Sequence, residues 1–322
     1  MIRRRKLGRT GFEVSELGFG SWPIGGKTAK FHYGDVKQTE IERVLLRYFE
    51  DGGNFLDTAR AYGESERILG GVLSRYDGGD KIILATKTEA GETIDSVPQI
   101  RKDLEESLRL LRRDYVDLYY LHQPPETRDA MNRALDEMEQ LKRENKIRAI
   151  GASIKGPNVN NDTERLCLQY LNTGRLDVLQ LVYSILRQRL RGVMEEARRR
   201  KVGIVIRTAL ESGLLTGSYT PGHTFAGRDQ RTRYKKENLD FILNAAQEIS
   251  RFAVYSPFRT LGQVALRFSM EPVEVSSVIV GMCTTEELKQ NEETASLPGI
   301  QKDLIERLKR EYFTLNDKAN YY

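Results

Sequence analysis

The 322-residue sequence predicts an α/β fold of the (β/α)8, TIM-barrel class, with an N-terminal β-hairpin and an extra C-terminal helix, formed as a single domain over residues 1–322. Three observations predict it. Strand-sized apolar runs alternate with amphipathic helical patterns through eight units in succession. The length suits one large α/β barrel or two ordinary domains, and no shift of composition marks a boundary between two. Ionisable residues stand at the ends of successive strand runs, the face on which such a barrel keeps its active site.

Each element has a local reason. Leu7 to Val14, with Gly8 and the Thr10-Gly11 pair, reads as a short hairpin. Leu17 to Trp22 is the first core strand, running into a loop rich in Gly and Lys. Ile41, Val44, Leu45 and Tyr48 share one face of a helix from Gln38 to Asp51, and Gly52-Gly53 stops it. Asn54-Phe55-Leu56 is a second strand ending at Asp57, and Ile68, Leu69, Val72 and Leu73 set the face of the helix opened by Glu64. Lys81 to Thr86 is a third strand ending at Lys87, followed by a helix from Pro98 to Leu111. Tyr115 to Leu121 is a fourth, ending at His122, before a long charged helix from Glu126 to Asn145. Lys146 to Ala152 reaches Ser153, and Thr163 to Asn172 is the next helix. Leu176 to Val182 precedes a very basic helix from Gln188 to Arg200, and Val202 to Thr208 leads into a polar segment from Glu211 to Lys236. Helices from Asn238 to Phe252 and Thr260 to Met270, a strand from Val275 to Val280, and helices from Thr285 to Thr294 and Gln301 to Phe313 complete the chain.

Composition narrows the function. Lys plus Arg number 51 against 46 Asp plus Glu, a formal charge of +5 spread over helical faces, too mild and scattered for a nucleic-acid surface. Cys167 and Cys283 form no CxxC pair, and no His cluster accompanies them, so neither a disulfide framework nor a metal site is expected. The start Met-Ile-Arg-Arg-Arg-Lys lacks the apolar stretch of a signal peptide, and no run approaches membrane-spanning length. A cytoplasmic protein with no membrane partner is predicted. A doubly wound nucleotide-binding sheet is the competing architecture, but Gly18-Phe19-Gly20-Ser21-Trp22-Pro23 fails the last position of G-x-G-x-x-G.

Asp57, Lys87 and His122 end three successive strands, and Tyr62 stands in the loop after Asp57. A Tyr hydroxyl is a weak acid with an unperturbed pKa of about 10, and a neighbouring ammonium favours its phenolate. Lys87 is the cation to do so, Asp57 would hold it charged and in place, and a neutral His122 could donate a hydrogen bond to a carbonyl oxygen. Such a site polarises and protonates a C=O but offers no nucleophile for hydrolysis, which suggests hydride addition from a nicotinamide cofactor. Taken singly, a strand-end Asp is more often a helix cap, a Lys solvated and a lone Tyr or His a packing residue. Four on one rim in successive units favour catalysis.

Over nearly its whole length the chain resembles the aldo-keto reductases. The resemblance rests on Leu7-Gly8-Arg9-Thr10-Gly11 with Val14-Ser15, Asp57-Thr58-Ala59 with Tyr62-Gly63 and Glu66, and Thr86-Lys87. It continues through Asp117-Leu118, Leu121-His122, Gly151 with Ser153, Gln180, Ser212 to Gly217, and Gly281 with Asn291. It implies a catalytic tetrad of Asp57, Tyr62, Lys87 and His122, and NAD or NADP bound across the barrel mouth without a Rossmann domain. By similarity, Ser153 and Gln180 hold the carboxamide, and Ser21, Trp22, Arg207 and Thr208 flank the nicotinamide end. Leu210, Ser212 and Leu215 belong to the pyrophosphate cover, and Gly281, Met282, Cys283, Thr284, Glu287 and Asn291 to the adenosine end, at a helix N-terminus whose N–H groups suit a phosphate.

Three departures from that family pattern stand out. Arg207 replaces a common aromatic ring, Ile154 replaces the Asn of a Ser-Asn pair, and Cys283 stands where many NADP-dependent members carry Arg. With Glu287 nearby to accept bonds from an unphosphorylated ribose, the prediction is that NAD is used at least as well as NADP. The basic loop Arg228 to Lys236 reads as a solvated cover that could instead reach a phosphate or an acidic substrate.

A small carbonyl or alcohol is the expected partner, handled by Trp22, Tyr62 and His122, with Phe31, His32, Tyr33, Gln123, Pro124 and the Tyr321-Tyr322 tail as further candidates. A mixed aromatic and polar pocket suits sugars or other small oxygenated carbonyls. Two alternatives are a nicotinamide-binding regulator of the potassium channel β-subunit type with little turnover, and a Schiff-base aldolase using Lys87.

Overall fold

A computed structural model describes residues 1–28, 37–89, 97–154 and 159–313. The substrate candidates Phe31, His32, Tyr33 and Tyr321-Tyr322 lie outside the described residues.

Strands β1 (Arg4–Lys6) and β2 (Glu13–Ser15) pair antiparallel, so the pairing flanks the Leu7 to Phe12 turn rather than running through it. The barrel strands then follow with their helices: β3 (Leu17–Gly20), α1 (Gln38–Glu50), β4 (Phe55–Asp57), α2 (Ser65–Leu73), β5 (Ile83–Thr88), α3 (Val97–Leu111), β6 (Val116–His122) and α4 (Arg128–Arg143). The second half is β7 (Ile147–Ser153), α5 (Asn161–Asn172), β8 (Val178–Val182), α6 (Arg191–Arg199), β9 (Gly203–Arg207), α7 (Lys236–Ala253), α8 (Leu261–Met270), β10 (Val275–Gly281), α9 (Thr285–Ser296) and α10 (Lys302–Tyr312). Strands β3 to β10 close into one parallel barrel in chain order, β10 pairing with β3. The predicted barrel, hairpin and terminal helix are all present.

Alternation along the strands makes two cores. Phe55, Ala85, Leu118, Tyr120, Ala149, Val178, Val205 and Ile279 point into the barrel, with Leu7 and Val14 of the hairpin region sealing the same cluster. Outward residues such as Leu56, Leu84, Tyr119 and Ile204 pack under the helices. Leu7 approaches so closely that a Cβ on Gly203 would fall 2.8 Å from its Cδ1, so β9 needs glycine there. Helix starts are fixed by side chains: Thr127, Thr260 and Thr284 cap α4, α8 and α9, and Asn160 forms a capping box with Thr163 on α5.

Most strand ends fall within two residues of their sequence positions. The small shift at Lys87 is the informative one. This lysine lies one residue inside β5 rather than past its end, which buries it completely.

Candidate active site

The C-terminal ends of β4, β5 and β6 converge. Asp57 closes β4; its partner on β5 is Ala85, two residues before Lys87, and Ala85 pairs with Leu118 on β6, four residues before His122, so all three side chains stand toward the C-terminal rim. Lys87 Nζ donates to Asp57 Oδ1 and, at 2.8 Å, to the Thr58 carbonyl oxygen. The other carboxylate oxygen of Asp57 accepts from Gln180 Nε2 at 2.7 Å, and Gln180 Oε1 accepts from the Ser153 hydroxyl at 3.0 Å. Asp57, Lys87 and Gln180 are fully buried, so the ammonium and carboxylate satisfy each other where water does not reach.

Tyr62 stands above this pair, with Lys87 Nζ 5.0 Å from its ring centroid. Three contacts fix the ring. Trp22 stacks on it at 6.1 Å between centroids, His122 meets it edge-on at 6.0 Å, and Gly25 packs against its backbone. The loop carrying Tyr62 is anchored below by Glu66, which accepts from Thr86 Oγ1 at 2.7 Å and from Arg60 Nη1 at 2.6 Å. Ser21 is buried and holds the same loop, its hydroxyl donating to the Asp57 carbonyl oxygen at 2.8 Å and accepting from Ser65 Oγ at 2.7 Å.

Desolvation, with the positive charges of Lys87 and Arg207, pushes the His122 pKa down to about 3. The imidazole is therefore neutral at physiological pH and able to donate one N–H to an oxygen above it.

A cavity of about 620 Å³ opens over these residues and runs along the barrel mouth to the start of α9. Trp22, Asp57, Tyr62, His122, Gln123, Ser153, Arg207, Thr208, Leu210, Ser212, Gly281, Cys283, Glu287 and Asn291 line it. The sequence candidates Ser21, Lys87, Gln180, Leu215, Met282 and Thr284 are not among its lining residues. Leu215 and Met282 are core residues, Lys87 and Gln180 lie under Asp57, and the Thr284 hydroxyl accepts from the Glu287 N–H as the cap of α9.

The turn after β9 is unusual. Thr208, Glu211 and Ser212 all have positive φ, at 64°, 47° and 56°. Glu211 is buried and holds this backbone in place, accepting from Ser184 Oγ and, at 2.6 Å, from Arg187 Nη2. Arg187 is also fully buried, and sequence patterning gave no sign of this pair because its members sit in two different loops.

At the far end of the cavity, the α9 N-terminus is already occupied by acid. Glu287 Oε2 accepts from the N–H groups of Cys283 at 2.7 Å and Thr284 at 3.2 Å, and Glu40 Oε1 accepts from Thr285 N at 3.4 Å. The donors expected to meet a phosphate are bonded to carboxylates instead. Glu40 was not anticipated, since only the contact of α1 with α9 brings it there. The basic loop also folds inward: Arg231 pairs with Asp229, donates to the Tyr219 hydroxyl at 2.6 Å, and with Gln230 and Arg233 lines the cavity.

Among the described residues, no group of three or more His, Cys, Asp or Glu could hold a metal ion, and no helix is long and apolar enough to cross a membrane.

Comparison with known proteins gives a consistent result. The sequence model of the Aldo/keto reductase family matches residues 16–310. The aldo-keto reductase YhdN of Bacillus subtilis is 29% identical over 278 residues, covering 81% of this chain and 79% of that protein. The NADH-specific methylglyoxal reductase of Escherichia coli is 28% identical over 312 residues, covering 90% and 92%. Among solved structures, the holo form of aldo-keto reductase AKR11C1 from Bacillus halodurans superposes with a TM-score of 0.75 at 25% identity, over 100% of this chain and 98% of that one.

Proposed function

Because this chain belongs to the aldo/keto reductase family of oxidoreductases, we propose that it interconverts an aldehyde or ketone and the corresponding alcohol with a nicotinamide dinucleotide as co-substrate, Tyr62 moving the proton. The observation that carries this is the buried Asp57–Lys87 pair beneath the Tyr62 ring, beside a neutral His122.

The cavity fits a dinucleotide by its volume and its donor set. Its 620 Å³ falls in the ~300–1,000 Å³ range of cofactor sites. At one end the Ser153 hydroxyl faces the cavity, tied to Gln180, and in the middle Leu210 and Ser212 of the left-handed turn form its wall. When bound, the dinucleotide supplies or accepts the hydride at the carbonyl carbon.

This chain's own residues do the rest. His122 donates a hydrogen bond to the substrate oxygen, and Tyr62 Oη gives that oxygen a proton as negative charge develops on it. Lys87 stabilises the phenolate left behind, and Asp57 holds the Lys87 ammonium in place by accepting its hydrogen bond. In the oxidative direction the same atoms return the proton.

We read the cofactor as NAD at least as readily as NADP. Glu287 and Glu40 occupy the backbone donors at the start of α9, so a ribose 2′-phosphate there would meet carboxylate charge rather than open N–H groups. The NADH-specific methylglyoxal reductase among its relatives supports the same direction. Small oxygenated carbonyls suit the mixed lining of Trp22, His122 and Gln123. The test is titration with NADH and NADPH by fluorescence quenching, then turnover on a panel of aldehydes and aldoses. Binding of NADH with turnover supports the proposal. Binding without any turnover favours a regulatory, nicotinamide-binding role, and a strong preference for NADPH overturns the argument from Glu287.

A further inference from the structure

Lys87 shares its layer of the barrel with a second tyrosine. Tyr120 on β6 is its register partner, and Gly151 on β7 is in turn the register partner of Tyr120, so these residues form one row across adjacent strands. Tyr120 belongs to the cluster that fills the barrel interior and is fully buried. Its ring takes the space that a side chain on Gly151 would need. A Cβ there would fall 2.3 Å from Tyr120 Cδ1 and 2.6 Å from Cε1, so glycine on β7 makes room for the ring and fixes where it stands.

That ring meets the ammonium. Lys87 Nζ lies 5.5 Å from the Tyr120 ring centroid and 5.0 Å from that of Tyr62, both inside the ~6 Å reach of a cation–π contact. An ammonium carries three N–H donors. Among the described residues, Asp57 Oδ1 and the Thr58 carbonyl oxygen each accept one, which leaves the third to face aromatic rings. The hydroxyl of Tyr120 makes no comparable contact: it is buried with no hydrogen-bond partner among the described residues. Burial first, and then the charge of Asp57, raise its pKa well above that of a free phenol, and Gln180 nearby tempers the shift without closing a hydrogen bond. Tyr120 therefore keeps its proton, and what it offers the site is its ring.

We propose that Tyr120 is a positioning residue for the reaction at Tyr62, the π face of its ring holding the Lys87 ammonium beneath the Tyr62 ring. The inference rests on the functional reading above. When Tyr62 gives its proton to the substrate oxygen, the phenolate is stabilised most by a cation already in place, because an ammonium free to shift would have to be re-ordered at that moment.

Single-turnover oxidation of NADH by a small aldehyde tests this. Tyr120→Leu removes the ring and should slow the step about 3- to 30-fold, the range of a cation–π contact away from water, with NADH affinity within about 2-fold of the parent. Tyr120→Phe keeps the ring, deletes a hydroxyl that has no bond to lose, and should recover most of that rate. Ring-fluorinated phenylalanines at position 120 keep the shape while weakening the negative face of the ring, and the rate should fall stepwise with each added fluorine. A role confined to packing produces no such trend, and the fluorinated series decides the matter even where Tyr120→Leu does not fold. A flat series, or a Tyr120→Phe protein as slow as Tyr120→Leu, overturns this inference and leaves Tyr62 and Lys87 in their roles. A wild type that binds no nicotinamide dinucleotide, or reduces no aldehyde, overturns the functional reading and the inference together.

Discussion

Replacing Lys87 by Met would leave the Asp57 carboxylate buried with Gln180 as its remaining side-chain donor. The lost partners are the ammonium and its bond to the Thr58 carbonyl at 2.8 Å, both in a place that water does not enter. Removing one member of such a pair costs about 3–5 kcal/mol, because the other charge stays behind uncompensated. With an unfolding entropy of about 2.1 cal/mol/K per residue, the 322-residue chain changes by about 0.7 kcal/mol for each degree, so Tm should fall by about 4–7 °C. Asp57→Asn should cost a similar amount through the stranded ammonium. The double variant Asp57→Asn/Lys87→Met carries no buried charge and should recover at least about 2 kcal/mol relative to the sum of the single variants. Scanning calorimetry of the four proteins at pH 7 reads all of this. Single variants within about 1 °C of the parent, or a double variant that simply adds their losses, would refute the reasoning that the pair is mutually dependent.

Two further outcomes follow from the same geometry. The folded-state pKa of His122 is depressed to about 3 against an unfolded value near 6.5, so the unfolded chain binds the extra proton. Its contribution to stability is complete above pH ~6.5 and is lost as pH falls toward 3, by at most about 1.4 kcal/mol per pH unit; urea melts from pH 7 to 5 should show this slope, and His122→Asn should flatten it. At Gly25, a Cβ would lie 2.0 Å from the Tyr62 carbonyl oxygen, so Gly25→Ala must push the Trp22 turn away from the loop that carries Tyr62. The expected cost is about 1–3 kcal/mol of stability with a disproportionate loss of turnover, measured as kcat beside a urea melt, and unchanged kcat would show that the Trp22–Tyr62 stack is dispensable.

The barrel was legible in the sequence because each of its units writes its own period, and the polar residues at the strand ends interrupt it. Asp57, Tyr62, Lys87 and His122 could be named for that reason, and the structure brings them to one rim. What sequence patterning could not show is set by contacts between segments far apart in the chain. Gln180 reaches Asp57 across 123 positions and Glu40 reaches Thr285 across 245, so no local window contains either bond. Burial of Lys87 was also hidden, because a strand-end lysine reads as solvated until the register places it under Tyr62. At α9 the capping box of Thr284 and Glu287 has a readable spacing, but spacing alone does not tell a carboxylate free to meet a ribose from one that, like Glu287, already accepts from the backbone at the start of its own helix.

The measurement closest to the central claim is a single-turnover reaction of the NADH-loaded protein with a small aldehyde, comparing the wild type with Tyr62→Phe. The substitution deletes the hydroxyl alone and keeps the ring that packs between Trp22 and His122. If Tyr62 delivers the proton in the transition state, NADH affinity should stay within about 2-fold while the rate of NADH oxidation falls by about 10²–10⁴-fold, the usual range for loss of a general acid. A Tyr62→Phe protein that oxidises NADH at nearly the wild-type rate would contradict the account, since the proton would then come from a group other than Tyr62.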